Sequence, residues 1–165
     1  MGTAPMNHRP IVLSDLDVLH RIYMDAESNP FLSYEPMDVA AFRPIFEDLV
    51  RSGSTHLLLE GINVVGSYAL RFQTHRCAHV ATLGSFAMHP AFRGRGYGAR
   101  AIEEIASAAR SRGARRLELL VETDNPRAIR FYEKQGFVRE GILRGAFRRA
   151  NEAHDADEMA MARRL

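Results

Sequence analysis

Residues 79–98 read His-Val-Ala-Thr-Leu-Gly-Ser-Phe-Ala-Met-His-Pro-Ala-Phe-Arg-Gly-Arg-Gly-Tyr-Gly, and this stretch decides the fold. The apolar run from Val80 to Met88 predicts a strand, and a long helical pattern begins directly after the glycine-rich segment. A helix start carries unpaired N–H groups and the positive end of the helix dipole. Glycines let backbone amides approach an anion, and the side chains of Arg93 and Arg95 add positive charge. The stretch therefore predicts a strand, an anion-binding loop and a helix, in that order.

The glycine spacing excludes two common phosphate-binding motifs. The dinucleotide fingerprint Gly-x-Gly-x-x-Gly is absent from this stretch, and no Gly-Lys-Ser/Thr follows it as a P-loop would require. Basic glycine segments also occur as solvated surface turns. The position of this segment between an apolar run and a helical pattern favours the phosphate-binding interpretation.

Two motifs resemble those of the GNAT family of N-acetyltransferases. The pattern Arg93-x-x-Gly96-x-Gly98, after a strand that ends in Met-His-Pro, is similar to the acetyl-CoA loop of that family. Residues 125–137, Asn-Pro-Arg-Ala-Ile-Arg-Phe-Tyr-Glu-Lys-Gln-Gly-Phe, resemble its second signature, in the right order and at the right separation. Residues 128–141 look most like the bacterial branch that acetylates free amino acids and similar small amines.

Composition narrows the class of protein. The chain has 165 residues, of which 46% are hydrophobic and 25% charged, as in one ordinary globular domain. We expect a flexible tail over residues 1–7 without a signal-like apolar core, and an N-acetyltransferase domain over residues 8–165. The net charge of +2 does not argue for nucleic acid, and no apolar stretch is long enough to span a membrane. Cys77 is the only cysteine, which favours a cytoplasmic protein.

Hydrophobic periodicity predicts the order β-α-α-β-β-β-α-β-α-β-β. The expected strands are residues 8–12, 55–60, 63–72, 80–88, 117–121, 137–147 and 157–165, and the expected helices are residues 14–26, 38–51, 97–112 and 125–136. Ser14 is expected to cap the first helix, and the strand 117–121 is apolar enough to be buried on both faces. Strand-helix-strand units, which make parallel neighbours, lie in the middle of the chain. The sequence therefore predicts a single α/β domain with a mixed, mostly antiparallel twisted sheet of about seven strands and helices on both faces.

The resemblance implies where acetyl-CoA is bound. The coenzyme would be held by the loop, that is by Arg93, Gly94, Arg95, Gly96, Tyr97 and Gly98. Its pantetheine arm would pair as an extra strand with the backbone of Phe86, Ala87 and Met88, where the family's strand splays from its neighbour. Gly84-Ser85 fits a bulge at that point, although a glycine there could simply weaken a core strand. No metal is expected.

The resemblance also implies the acid of the reaction. Asn125, Ala128 and Tyr132 fall on the family's Asn…Ala-x-x-x-Tyr pattern. Tyr132 would protonate the departing thiolate of coenzyme A. Alternatively, Tyr132 has only a structural role and packs on the helix face beside Ile129. Asn125 would contact the pantetheine or thioester region, and as an asparagine it also suits a helix cap.

The identity of the general base is left open. Many members of the family carry a glutamate in this strand, but residues 79–88 contain no carboxylate. Thr82 lies near that position. The candidates are His79, Glu122 at the end of its strand, and Glu35 or Tyr34 in the aromatic segment. A basic amine could also lose its proton to solvent, with no dedicated base.

The acceptor would lie among residues 31–36, 73–78 and the loop near Asn151. Phe31 and Tyr34 suggest a partly apolar wall, and Glu35 could attract an ammonium group. Thr82 and Glu122 are further substrate candidates, and the arginines of residues 141–149 could meet a carboxylate. We expect acetyl transfer from acetyl-CoA to a small-molecule amine such as an L-amino acid. The alternatives are a protein N-terminal acetyltransferase of the ribosomal-protein type and a non-catalytic acetyl-CoA-binding regulator; a homodimer is left open.

Overall fold

The computed structural model describes residues 6–165. The strands are β1 (Met6–Pro10), β2 (Thr55–Glu60), β3 (Asn63–Phe72), β4 (Val80–Met88), β5 (Arg116–Glu122), β6 (Val138–Phe147) and β7 (Ala156–Arg164). The α-helices are α1 (Leu16–Tyr23), α2 (Val39–Ser52), α3 (Tyr97–Ser111) and α4 (Pro126–Lys134). None of these helices is both long and apolar enough to cross a lipid bilayer.

The seven strands form one sheet in the order β1-β2-β3-β4-β5-β7-β6. β4 and β5 are parallel, and α3 is the connection between them. The pairs β1–β2, β2–β3, β5–β7 and β6–β7 are antiparallel. The predicted α/β fold with a mixed, mostly antiparallel sheet is confirmed.

The first strand begins earlier than the sequence predicted. Met6 is buried and Asn7 pairs with Leu59 of β2, so residues 6 and 7 belong to the sheet and not to a tail. The sequence interpretation overlooked that the apolar side chain of Met6 is suited to a buried position in this strand. Residues 1–5 of the expected tail lie outside the described residues.

The predicted cap of the first helix is wrong. Ser14 lies inside a short 3-10 turn, Leu13–Asp15, and α1 begins only at Leu16. The buried carboxylate of Asp15 accepts the backbone N–H of Val12 at 2.8 Å, and Arg9 donates to its two oxygens at 2.7 and 2.9 Å. A charge-assisted pair with the preceding strand therefore sets the entry to α1.

The chain divides into two compact units. One comprises residues 1–70 and 85–105, and the other comprises residues 71–84 and 106–165. In the first, α1 and α2 bury an aromatic cluster in which the rings of Tyr23 and Phe42 meet edge to face at 5.8 Å. The core of this unit consists of Ile11, Leu16, Leu19, Ile22, Tyr23, Leu32, Phe42, Phe46, Leu49, Leu57 and Ala87.

In the second unit, β5 alternates between buried and accessible side chains. Leu117, Leu119 and Val121 are buried, whereas Leu120 is 48% exposed. The expectation that this strand is buried on both faces is therefore wrong at Leu120, where the even-numbered side is open to solvent. The even-numbered side carries Leu120 and, at its end, Glu122.

Candidate active site

β4 changes character halfway along its length. Its parallel ladder with β5 runs from Val80–Arg116 to Thr82–Glu118 and ends there, before either strand ends. Ser85 has a φ of +46°, a left-handed conformation that is uncommon for a residue other than glycine. The backbone irregularity expected at Gly84-Ser85 is therefore present, directly after the ladder ends.

The last residues of β4 present backbone groups to the edge away from β3. The carbonyl oxygen of Ala87 lies 2.8 Å from where a Cβ on Gly66 of β3 would be, so that position requires glycine. The N–H of His89 likewise donates to a β3 carbonyl at 2.8 Å. Because backbone groups alternate along a strand, those of Met88 point to the opposite edge. An extended ligand arm could pair with Met88 there as an added strand.

The loop after β4 is shaped by two glycines. Gly94 and Gly96 have φ values of +71° and +79°, and nothing lies within 4 Å of a Cβ built on either residue. The side chain of Arg95 is exposed, has Phe92 as its ring contact at 6.0 Å, and makes no ion pair within residues 6–165. The loop therefore offers open backbone and one available cation at the start of α3.

Arg93 is engaged elsewhere. Its guanidinium donates to Asp25, to Glu27 at 3.1 Å and to the hydroxyl of Ser28 at 3.0 Å, all in the segment between α1 and α2. Of the two arginines expected to add charge for a phosphate, only Arg95 presents an uncompensated guanidinium.

Tyr97 anchors the start of α3 to the end of β2. Its hydroxyl donates to Glu60, and Arg100 donates to the other carboxylate oxygen of Glu60 at 2.8 Å. The hydrogen bonds from Tyr97 and Arg100 lower the pKa of Glu60, and the bond to Glu60 raises the pKa of Tyr97. Gly98 follows, half-buried, in the first turn of α3.

Asn125 precedes α4 and acts as its N-cap. Its side-chain oxygen accepts the backbone N–H of Ala128 at 3.1 Å, and Pro126 occupies the first helical position, where the missing N–H is not needed. The side-chain NH₂ group donates to none of the residues that the structure describes. The capping role is confirmed, and the NH₂ group stays available.

Tyr132 lies on the buried face of α4. Its side chain is 9% exposed and its ring meets those of Phe131 at 5.2 Å and Phe137 at 5.6 Å. The hydroxyl makes no hydrogen bond to a described residue. Burial, and to a smaller extent the charge of Glu122, raises the pKa of Tyr132. The phenol is therefore held in its protonated form with its proton available.

Glu122 is a buried carboxylate at the end of β5. It is 5% exposed and directly opposite Glu158 of β7 in the antiparallel register. Burial above all, together with the negative charges of Glu158 and Asp124, raises the pKa of Glu122 to about 7, against the opposing effects of a backbone hydrogen bond and the charge of Arg149. A carboxylate poised near neutrality suits proton abstraction.

The base candidate His79 lies far from Glu122, and Thr82, the residue near the family's usual glutamate position, is hydrogen-bonded to another carboxylate. The carbonyl of His79 accepts the N–H of Arg116 at 3.1 Å, so His79 lies at the amino end of the parallel strands. Glu122 is at the carboxyl end, about 20 Å away at the rise of a strand. Thr82 donates to Glu118 at 3.4 Å. Sequence reasoning missed Glu118, because only the strand register shows that it delivers a carboxylate to the Thr82 position.

The aromatic segment before α2 packs on the core of the first unit. Tyr34 stacks on Tyr23 at 5.8 Å and meets Phe42 edge to face at 6.3 Å. Phe31 is half-buried, and Glu35 is exposed. This arrangement provides the partly apolar surface that the sequence predicted for this segment.

The arginines after residue 141 are largely engaged in internal ion pairs. Arg148 pairs with Asp155 at 2.7 Å, and the buried Arg149 pairs with Asp124 at 2.8 Å and with Glu152 at 3.1 Å. These two side chains do not support the expected recognition of a substrate carboxylate. Within residues 6–165, no cluster of three His, Cys, Asp or Glu side chains is placed to hold a metal ion.

In the first unit the structure therefore has a glycine loop at a helix start after the end of β4, and in the second unit it has a buried tyrosine after an asparagine cap. The acetyltransferase (GNAT) family pattern matches residues 16–137, well over half of the chain, and the protein belongs to this family.

The chain is similar in sequence or in fold to N-acetyltransferases whose names give different acceptors. Glucosamine 6-phosphate N-acetyltransferase 1 of Oryza sativa subsp. japonica is 29% identical over 120 residues, covering 68% of this chain and 71% of that protein. The spermidine N-acetyltransferase of Vibrio cholerae, solved with CoA and spermine, has a TM-score of 0.80 at 18% identity and covers 96% of this chain and 94% of its own. The ribosomal-protein-alanine N-acetyltransferase of Brucella melitensis has a TM-score of 0.73 at 25% identity, covering 96% and 99%.

Proposed function

We propose that this protein transfers the acetyl group of acetyl-CoA to the amine of a small molecule. The observation that carries the proposal is the open edge of β4 leading into the glycine loop at the start of α3. The amides of that loop and the charge of Arg95 suit the pyrophosphate of the coenzyme. The outward backbone groups of Met88 suit an amide of its pantetheine arm, and a backbone N–H of this part of β4 would polarise the thioester carbonyl.

Tyr132 is assigned as the general acid. The amine nitrogen forms a bond to the thioester carbon, the carbon–sulfur bond breaks, and the sulfur leaves with the electron pair of that bond. The phenol of Tyr132 gives its proton to this sulfur. Three features support the assignment: the side chain is buried, its pKa is raised, and its hydroxyl has no competing acceptor among the described residues.

Glu122 is assigned as the general base that takes the proton of the attacking amine. It is the base candidate of the second unit that combines burial with a pKa of about 7. The charge of Glu122 is felt at Tyr132, so the two groups that move protons share one environment. Loss of the amine proton to solvent is the competing mechanism, and the pH dependence described in the Discussion separates the two.

The acceptor is assigned as a small primary amine, with L-amino acids as the first class to test. A specific observation favours a second class, the diamines and polyamines. Glu122 and Glu158 face each other across β5 and β7, and burial raises the pKa of both. A second ammonium group on the acceptor would compensate this pair of carboxylates, whereas Arg148 and Arg149 are already paired and leave little for a carboxylate.

A thiol-release assay tests the proposal. The full chain is incubated with acetyl-CoA and, separately, with the standard amino acids, spermidine and related diamines, or peptides with free N-termini, and products are identified by mass spectrometry. We expect amine-dependent release of coenzyme A with a small acceptor. Release with peptides alone would identify an N-terminal acetyltransferase, and coenzyme binding without release in any arm would identify a regulator.

A further inference from the structure

We infer that Arg93 is a positioning residue, which ties the segment between α1 and α2 to the coenzyme loop and does not bind phosphate with its side chain. This segment, residues 24–37, is called the connector below. The inference rests on the proposed function, because it concerns how the acceptor side is held while coenzyme is bound.

Arg93 directs all of its observed side-chain hydrogen bonds into the connector. Its guanidinium donates to Asp25, Glu27 and the hydroxyl of Ser28. The side chains of Arg93 and Asp25 are only 21% and 17% exposed, so solvent screens this pair less than a surface ion pair. The contact to Glu27, which is well exposed, contributes little by comparison.

Asp25 links Arg93 to the rest of the connector through further hydrogen bonds. Its carboxylate accepts the N–H groups of Glu27 and Ser28, each at 3.1 Å, and its carbonyl accepts the N–H of Asn29 at 2.8 Å. The buried Asn29 in turn donates its NH₂ group to the carbonyl of Tyr34 at 3.0 Å. A continuous series of hydrogen bonds therefore joins the coenzyme loop to the aromatic part of the connector.

The loop end of this series of hydrogen bonds borders open space. Met24, Asp25 and Pro90 line a cavity of about 640 Å³, and of these Met24 also packs against the core. Burial opposes ionisation of Asp25, but the hydrogen bonds from Arg93 and from the Ser28 and Glu27 amides outweigh it and lower the pKa of Asp25. The pair with Arg93 therefore stays charged at neutral pH.

Ordering of the loop by coenzyme should accordingly order the connector. Hydrogen exchange with CoA itself as the probe tests this. In the unaltered protein, CoA should slow amide exchange in residues 93–98 and also in residues 24–37, by about fivefold or more for a typical coupling. In Asp25→Asn, CoA should still protect residues 93–98, but the protection of residues 24–37 should be lost. Asp48→Asn breaks an exposed ion pair with Arg51 on α2 and is the matched control, in which both segments should stay protected.

Binding measurements separate positioning from a phosphate contact. If Arg93 is a positioning residue, Arg93→Met and Asp25→Asn should have the same effect on exchange in the connector, and the double variant should add nothing further. If the guanidinium bound phosphate, Arg93→Met alone would weaken CoA by about tenfold or more, while Asp25→Asn would leave the affinity intact or improve it. That result overturns the inference.

The exchange data also distinguish this inference from the proposed function. CoA that protects residues 93–98 but not residues 24–37 of the unaltered protein overturns the inference alone. CoA that protects neither segment overturns the proposed function and the inference together. Melting temperatures of all variants, measured without CoA, show whether each one is folded.

Discussion

Replacing Glu122 by glutamine separates two effects of this residue: the cost of burying its charge and its proposed role as general base. The substitution keeps the size of the side chain and removes its charge. The pKa of Glu122 is about 7 in the folded protein against an ordinary value of 4.5. That difference makes ionisation about 3 kcal/mol less favourable in the folded than in the unfolded chain, at about 1.4 kcal/mol for each pH unit.

The sign of the stability effect follows from proton linkage. Below pH 4.5 the carboxyl is protonated in both states and nothing is lost. Between pH 4.5 and about 7 the unfolded chain releases the proton while the folded protein keeps it, so the free energy of unfolding falls as pH rises. Above about pH 7 the full penalty applies. Measured by urea denaturation, Glu122→Gln should therefore be more stable than the unaltered protein by up to about 3 kcal/mol at about pH 8, and by almost nothing at about pH 4.

The same variant tests the base. In the unaltered protein, kcat/KM should rise through an inflection near pH 7 as Glu122 loses its proton, measured by thiol release from acetyl-CoA. Glu122→Gln should lose that inflection and about 10²–10⁴-fold of the rate at neutral pH. If instead the variant keeps its rate and log kcat/KM rises at unit slope without an inflection from the protein, the amine loses its proton to solvent. A stability gain with an unchanged rate would then identify Glu122 as buried but not catalytic.

Three further predictions follow from the site. Tyr132→Phe keeps the ring contacts and should lower kcat by about 10²-fold with little change in CoA affinity; an unchanged kcat, with chemistry rate-limiting, removes the acid assignment. Gly96→Glu should abolish the rise in melting temperature given by CoA, which is equivalent to about 2.7 kcal/mol at 100 times Kd. Gly53→Glu changes an equally left-handed glycine at the end of α2 and should keep that rise. A rise that persists in Gly96→Glu would place the coenzyme elsewhere. Glu158→Gln should move the activity inflection of Glu122 to lower pH without removing it, because a negative charge opposite that carboxylate is lost; an unmoved inflection would mean that another group titrates.

The local sequence was enough to predict the elements that we propose hold the coenzyme. The stretch 79–98 contains both the apolar run and the glycines that need left-handed backbone, and these are properties of neighbouring residues. The same holds for Asn125, whose cap is formed with an amide three residues away. One error occurred where a distant partner decides, at Met6, which pairs with β2. The other is local: at Ser14, the neighbouring pair of Arg9 and Asp15 sets the start of the helix instead.

The order of strands and helices and the glycine loop could be predicted from the sequence because they depend on residue type and short spacing, and the acid candidate followed from the resemblance to the family. The state of the charged groups depends on the tertiary structure. Glu122 has a pKa near neutrality because the fold excludes water from it and, to a smaller extent, because β7 brings Glu158 opposite it. Arg93 is committed because the segment after α1 supplies Asp25. Burial and opposing charges come from segments far apart in the chain, and no local pattern records them.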